Sequence, residues 1–270
     1  MRDFKCLTVS VLLTAGMGAV LPAFAQGPDQ TRTPLWSQAD QRYGSAEMAE
    51  AREELLQEGG AQRTWYVLVN QLEAQTGDNA DSLYWNGQAW YGGDIHKLRF
   101  KSEGSASLNG GGVDDAEVQA LYSKAISPFW DAQVGVRYDL EPDGLAHGVL
   151  ALQGIAPYWF EVDASAFLSD KGDLTARLEA EYEFRLTQRF ILQPRIEADL
   201  SAQNVAERDL GTGLNAIEAG LRLRYEIKRE FAPYVGIEWQ GKFGRTADAH
   251  EAAGGEASEA VLTAGLRTWF

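Results

Sequence analysis

Cysteine is almost absent from this chain. Cys6 is the only cysteine among 270 residues, and it precedes an apolar run instead of following it. Neither a disulfide nor a lipid-anchor site can therefore be built from it. An exported protein without disulfides must be stabilised by its fold or by a membrane.

Long apolar runs are equally scarce. Beyond the first residues, no stretch approaches the about 20 apolar residues that a membrane-spanning helix needs. The chain begins with the three parts of a secretory signal: Arg2 and Lys5, an apolar run over 7–21, and a small-x-small site ending at Ala25. We therefore predict a signal peptide over residues 1–25, and a membrane location only through a β-barrel.

Basic residues are outnumbered by acidic ones. The chain has 24 lysines and arginines against 39 aspartates and glutamates, for a formal net charge of −15. Because phosphates need basic partners, this balance argues against nucleic acid as a partner. It suits a cationic cargo, although a solvated acidic surface produces the same balance.

Residues 26–60 differ from the rest of the chain. Glycine and proline open a loose segment, and 46–57 then has the spacing of a short helix that ends at Gly59-Gly60. The apolar face of this helix is thin. We predict that the segment lies outside the barrel wall or in its mouth.

Apolar and charged residues alternate with period two from residue 61 to 270. The clearest case is 174–186, where Leu178 lies between Arg177 and Glu179. A soluble sheet with one wet face also alternates, but segments of about 10–14 residues exceed the usual globular strand and match a tilted bilayer crossing. Aromatic residues gather near segment ends, as in membrane girdles. The alternate pattern that ends at Phe270 resembles the last strand of outer-membrane barrels.

The predicted fold is all-β: a closed antiparallel transmembrane β-barrel in the outer membrane of a Gram-negative bacterium. Counting back from Phe270 gives ten strands as far as 94–103. A separate strand at 83–91, turned by Gly92-Gly93, keeps the number even with both termini periplasmic, so we predict twelve strands, with ten as the alternative. We expect short periplasmic turns to alternate with longer outer loops near 140–146, 203–212 and 244–256. The predicted strands lie near 63–75, 83–91, 94–103, 113–123, 129–139, 146–155, 158–169, 172–186, 189–202, 213–227, 232–243 and 257–269.

Several stretches of the barrel region carry a family resemblance. They are 101–104, 121–126, 220–227, Gly92-Gly93-Asp94-Ile95-His96-Lys97-Leu98, Ser127-Pro128-Phe129-Trp130-Asp131, Gly154-Ile155-Ala156-Pro157-Tyr158-Trp159-Phe160-Glu161 and Arg229-Glu230-Phe231-Ala232-Pro233-Tyr234. These stretches resemble the copper resistance protein B family, and the likeness covers most of 47–270. The resemblance implies an outer-membrane barrel that binds, sequesters or exports excess copper, works beside a periplasmic multicopper oxidase, and is not an enzyme.

One feature of that family is missing. Its members often carry a methionine- and histidine-rich stretch before the barrel, with soft thioether ligands for Cu(I). Here Met48 is the only methionine after residue 25, and residues 26–60 contain no histidine. We count Met48 as a candidate ligand, but this composition favours weak binding of Cu(II) over Cu(I).

Histidine is also rare. His96 has Asp94 and Glu103 nearby in sequence, so these three residues are the best candidate copper ligands in the barrel. A rim or outward position of His96 is the alternative. His147 and His250 fall at or beside predicted outer loops, where we expect solvated histidines.

The alternation predicts that charged side chains of both signs point into the lumen. One interpretation is a ladder of mutually satisfied ion pairs that fills a small barrel. The other is a cation-attracting path whose carboxylates offer weak, exchangeable sites for Cu(II). The predicted acidic lumen residues are Glu161, Asp163, Glu179, Glu181, Glu183, Glu197 and Asp199.

An outer-membrane hydrolase and a passive pore are the two alternatives to a copper-resistance barrel. Some outer-membrane barrels are phospholipases or proteases with Ser-His-Asp groups, but the sequence has no Gly-x-Ser-x-Gly elbow. We therefore predict no enzymatic activity. A passive pore or a purely structural barrel remains the main alternative. The lumen of a twelve-stranded barrel is intermediate in width between that of small barrels filled by side chains and that of large porins with an open channel.

Overall fold

The computed structural model describes residues 37–60, 62–77, 81–142, 144–205 and 208–270. The predicted signal peptide and the first part of the segment after it lie outside the described residues. The chain divides into two compact units at residues 58 and 59.

The N-terminal unit is helical, as predicted. It contains α1, Ser37–Tyr43, and α2, Ser45–Leu55, which continues into a short π-helical turn, Leu56–Gly60. Arg52 of α2 donates a hydrogen bond of 2.5 Å to Asp40 of α1, and neither helix has a buried residue. In the described part of the chain, no helix is long and apolar enough to cross a membrane.

The second unit is a closed antiparallel barrel, and within the described residues it has the predicted twelve strands. Each strand pairs with the next, and the last strand pairs with the first, from Leu68 with Trp269 to Thr76 with Leu262. The strands are β1 Thr64–Thr76, β2 Ser82–Gly92, β3 His96–Ser107, β4 Gly112–Ser127, β5 Trp130–Glu141, β6 Leu145–Ala156, β7 Phe160–Ser169, β8 Leu174–Glu181 with its continuation Phe184–Arg185, β9 Phe190–Ser201, β10 Gly213–Tyr225, β11 Phe231–Lys242 and β12 Ser258–Trp269.

The two faces of the barrel differ in polarity. Apolar side chains point outward and are exposed, such as Leu150, Leu178 and Val235, whereas Glu197 and Arg222 are buried inside. A closed antiparallel barrel leaves no unpaired strand edge in the hydrocarbon region, and its apolar outer band faces lipid. The protein is therefore an integral barrel of a Gram-negative outer membrane, as the sequence predicts.

A β-bulge interrupts the alternation in β1. Asn70 is the extra residue, because Val69 pairs with Gly87 and Gln71 already pairs with Asn86 on β2. A bulge shifts the side chains that follow it to the opposite face. Glu73 is consequently buried in the lumen, although the sequence pattern did not predict it there.

The two ends of the barrel have connections of different length. One end has the short turns 93–95, 128–129, 157–159, 186–189 and 226–230, and the other has 77–81, 108–111, 142–144, 170–173, 202–212 and 243–257. The last of these contains the helix α3, Gly244–Ala252. The connection predicted at 140–146 is shorter than expected, because β5 continues to Glu141 and β6 already begins at Leu145. Short turns face the periplasm in outer-membrane barrels, so we assign the first end to that side.

The outward face can be tested at Leu178, which is 48% exposed in the middle of β8. The substitution Leu178→Arg is expected to lower the free energy of unfolding by about 2–4 kcal/mol, because it places a charge in the hydrocarbon region. Urea titration of the barrel in lipid vesicles measures this change. The control Leu178→Phe keeps an apolar side chain and should have little effect, and equal stability of the two variants would contradict the assigned face.

Candidate functional site

A cavity of about 620 Å³ occupies the periplasmic part of the lumen and reaches the short turns at 94–95 and 127–129. We call this cavity the vestibule. Among the described residues, seven acidic and four basic side chains line it. They are Asp94, Glu103, Asp131, Glu161, Asp163, Glu179 and Glu181, with Lys97, Arg99, Lys101 and Arg177.

Three of the four vestibule bases come from β3. The nitrogens of Lys97 and Arg99 lie 3.4 and 3.5 Å from the same oxygen of Asp131 on β5. Lys101 donates a hydrogen bond of 2.5 Å to Asp163 on β7. Because β3 and β7 are not neighbours, this last pair crosses the lumen.

The fourth base, Arg177 on β8, contacts four carboxylates. Its Nη1 donates to Glu103 on β3 at 2.9 Å, and its Nη2 donates to Glu117 on β4 at 3.4 Å. Its Nε lies 3.2 Å from Glu197 and 3.3 Å from Asp199, both on the adjacent β9. Arg177 thus connects opposite walls of the lumen and bounds the vestibule on its outer side.

Three acidic side chains of the vestibule have no base in the described part of the chain: Asp94, in the turn before β3, and the facing pair Glu161 and Glu181. Glu161 on β7 and Glu181 on β8 are direct partners in the strand register. Within the described part of the chain, neither makes a hydrogen bond or an ion pair. Glu181 is only 6% exposed, whereas Glu161 is exposed at the periplasmic mouth.

The acids on either side of Glu181 are paired. Glu179 accepts a hydrogen bond of 2.7 Å from Arg195. Glu183 accepts bonds of 2.6 Å from Arg224 and 2.7 Å from Arg267. Of the three acids of this part of the chain, Glu181 alone has no base in direct contact.

A second charged cluster fills the wall formed by β1, β10 and β11. Arg222 donates to both carboxylate oxygens of Glu73, at 3.0 and 2.8 Å, and to Glu238 at 2.7 Å. Tyr234 and Gln75 also donate to Glu73, at 2.8 and 2.9 Å. Every named group in this cluster has a partner, so the loss of one member would leave a buried charge uncompensated.

Comparison with known proteins decides the family. The profile of the family described as Copper resistance protein B precursor (CopB) matches residues 63–270. The chain belongs to the copper resistance protein B family. It is 41% identical over 207 residues to Copper resistance protein B of Escherichia coli, covering 76% of this chain and 69% of the relative. It is 37% identical over 249 residues to the Copper resistance protein B homolog of Pseudomonas syringae pv. tomato, covering 92% and 83%.

The fold has similar solved structures. A NanC porin gives a TM-score of 0.49 at 12% identity, covering 73% of this chain and 98% of the porin. The KdgM porin gives 0.45 at 10% identity, covering 76% and 98%. Membership of the copper resistance protein B family places the role of this barrel in copper resistance.

In this member of the copper resistance protein B family, the predicted ligands do not all meet. His96 begins β3 on the outward face, is exposed, and stacks on Tyr122, with its Nδ1 2.5 Å from the Tyr122 hydroxyl oxygen. Glu103 lies seven residues along the same strand on the opposite face, where it accepts a bond from Tyr84 at 2.7 Å. The structure therefore separates His96 from Glu103.

The other two predicted ligands occupy different places. Asp94 is exposed and lines the vestibule. Met48 is half-buried on α2 of the N-terminal unit. In the ranges that the structure describes, no group of three or more histidine, cysteine, aspartate or glutamate side chains is arranged to hold a metal ion.

His147 is not the solvated loop residue that we expected. It lies inside β6, is 5% exposed and points into the lumen, because β6 already begins at Leu145. Its Nδ1 is 3.9 Å from Asp139. Arg208, from the connection 202–212, is 3.0 Å from the same carboxylate, so Asp139 already has a cationic partner. His250 is half-buried on α3.

Proposed function

We propose that this family member confers copper resistance by taking Cu(II) from the periplasm into the vestibule and holding it in weak, exchangeable carboxylate sites. The observation that supports the proposal is the excess of acidic over basic side chains lining this cavity. A cleft lined by one sign of charge between low-dielectric walls concentrates ions of the opposite sign. The vestibule therefore attracts cations from its periplasmic side.

The ligands favour Cu(II) over Cu(I). Carboxylates and water are hard oxygen ligands, whereas Cu(I) prefers thiolates and thioethers. The vestibule is lined by carboxylates and contains no cysteine or methionine among its described lining residues. Binding is weak because basic side chains compete with the metal for four of the seven carboxylates: Glu103, Asp131, Asp163 and Glu179.

This proposal gives the barrel no catalytic step. Copper ions are its cargo, and outer-membrane lipid surrounds its apolar face. The family resemblance adds a periplasmic multicopper oxidase as a proposed partner.

Deletion of the gene is expected to increase sensitivity to copper and to leave sensitivity to zinc unchanged. Growth of the deletion strain in graded copper and zinc, with and without a plasmid copy of the full chain, measures the effect. An unchanged copper tolerance, together with copper-independent conductance of the purified barrel in liposomes, would contradict the proposal and favour a passive pore.

The position of the copper ligands can be tested at His96. The variant His96→Ala is expected to bind Cu(II) as the natural chain does, because this side chain faces away from the vestibule. Equilibrium dialysis of the purified full chain against Cu(II) at neutral pH measures binding. Loss of copper in this variant would move the site from the lumen to the barrel rim.

A further inference from the structure

The carboxylates of Glu161 and Glu181 face each other across β7 and β8. They are direct register partners, and both point into the lumen. The Cβ atoms of such partners lie about 4.5–5.5 Å apart. Two carboxylates at this separation can approach one ion from both sides.

An arrangement of this kind is unfavourable without a counter-ion. Like charges that lie directly opposite each other destabilise a strand pair, and a buried charge normally has a partner or coordinates a metal. Glu181 is 6% exposed and has no hydrogen bond or ion pair in the described ranges of the chain. It also lines a smaller cavity of about 290 Å³ next to the vestibule, together with Glu161 and Glu183.

No neighbouring base makes a direct contact as counter-ion to Glu161 or Glu181. Arg195 is bound to Glu179, and Arg267 is bound to Glu183. Lys101 is bound to Asp163, the next inward residue of β7 after Glu161. Arg185 lines the smaller cavity but forms no ion pair in the described part of the chain, and Arg267 attracts both glutamates only from beyond ion-pair distance. No base is therefore in direct contact with either carboxylate of the pair.

We propose that Glu161 and Glu181 form a two-carboxylate site for a divalent cation at the periplasmic mouth of the vestibule. The identity of the ion as Cu(II) rests on the proposed function, whereas the site itself follows from the geometry. Water completes the coordination, so the ion exchanges readily. Cu(II) binds more tightly than Mn(II) or Zn(II), as expected for oxygen ligands in the Irving–Williams order.

Replacement of both carboxylates by amides tests this site alone, because the other acidic side chains of the lumen are unchanged. Neither glutamate holds a base, so the double variant Glu161→Gln, Glu181→Gln leaves no arginine or lysine unpaired, and it removes a repulsion. The variant should therefore fold at least as well as the natural barrel when no metal is added. Heat-modifiable migration on gels of unboiled samples verifies this.

The binding experiment titrates the purified full chain in detergent with Cu(II), and separately with Mn(II), by calorimetry. We expect the tightest class of sites to weaken by more than about tenfold in the double variant, because its ligands are removed. The matched control, Asp248→Asn with Glu251→Gln, removes the same charge from exposed positions of α3 at the other end. It should bind both ions as the natural chain does.

The outcomes distinguish this site from the proposed function. Equal Cu(II) binding by the double variant and the control would overturn the site and leave copper binding elsewhere in the lumen intact. Binding of Mn(II) and Cu(II) through the pair, combined with normal copper tolerance of the deletion strain, would support the site and overturn the proposed function. If the natural chain binds neither ion, both proposals are wrong.

Discussion

Replacement of Arg222 by methionine is expected to lower the free energy of unfolding of the barrel by about 3–5 kcal/mol. The side chains of Arg222, Glu73 and Glu238 are 2%, 0% and 3% exposed. Without the guanidinium, two carboxylates remain buried with no cation. The loss of stability comes mainly from these uncompensated charges and only partly from the missing hydrogen bonds. Urea titration in lipid vesicles measures the difference.

Two further variants make this result specific. Arg229→Met removes an arginine from an exposed periplasmic turn and should leave stability almost unchanged. Adding Glu73→Gln to Arg222→Met removes one of the two uncompensated buried carboxylates and should recover part of the lost free energy of unfolding. If all three variants unfold at the same urea concentration as the natural chain, the cluster does not stabilise the barrel.

Replacement of Arg177 by methionine is expected to raise the ion conductance of the barrel several-fold. Arg177 connects Glu103 and Glu117 on one wall with Glu197 and Asp199 on the other. In its absence no base connects the two walls. Glu117 and Glu197 keep Arg137 and Arg195, whereas Glu103 and Asp199 are left without a base and attract mobile cations. Single-channel recording in planar bilayers should show larger currents with a stronger preference for cations.

Arg185 provides the matched control for this experiment. It is an arginine of the same strand, it is exposed, and it makes no ion pair in the described part of the chain. The variant Arg185→Met should conduct like the natural barrel. Heat-modifiable migration shows whether the Arg177 variant has folded, and an unchanged conductance of the folded variant would mean that Arg177 does not close the lumen.

The strands and their faces could be predicted from local sequence. Over 174–186, each apolar residue lies between polar ones, so the inward position of Glu179 depends only on its neighbours in the same strand. The same reasoning places Glu197 inside. Ten strands follow from the spacing of turn residues counted back from Phe270, and the requirement of an even number with both termini on one side adds the strands at 63–75 and 83–91.

The ion pairs could not be predicted in this way. Arg222 and Glu73 are 149 residues apart, and Arg177 and Glu103 are 74 residues apart. Such contacts depend on the closure and stagger of the whole barrel. The bulge at Asn70 also changes the inward face of β1, and no turn or glycine in the sequence marks it.

Nothing in the sequence indicates that Glu161 and Glu181 have no base in contact with them. The pattern predicted both as lumen residues among five other acids: Asp163, Glu179, Glu183, Glu197 and Asp199. All five have a cationic partner in the structure. Only the positions of Lys101, Arg195 and Arg224 in space show which pair remains without one.

The pairing of β1 with β12 has a kinetic consequence. This seam joins residues that are roughly 200 positions apart, and contacts of such long sequence separation form slowly because a large loop must close first. Until the two strands meet, each presents an unpaired edge that can associate with other chains. The barrel therefore has to insert into the membrane and close before its unpaired strand edges associate with other chains. Copper tolerance should accordingly lag behind synthesis of the chain by the time that this closure takes.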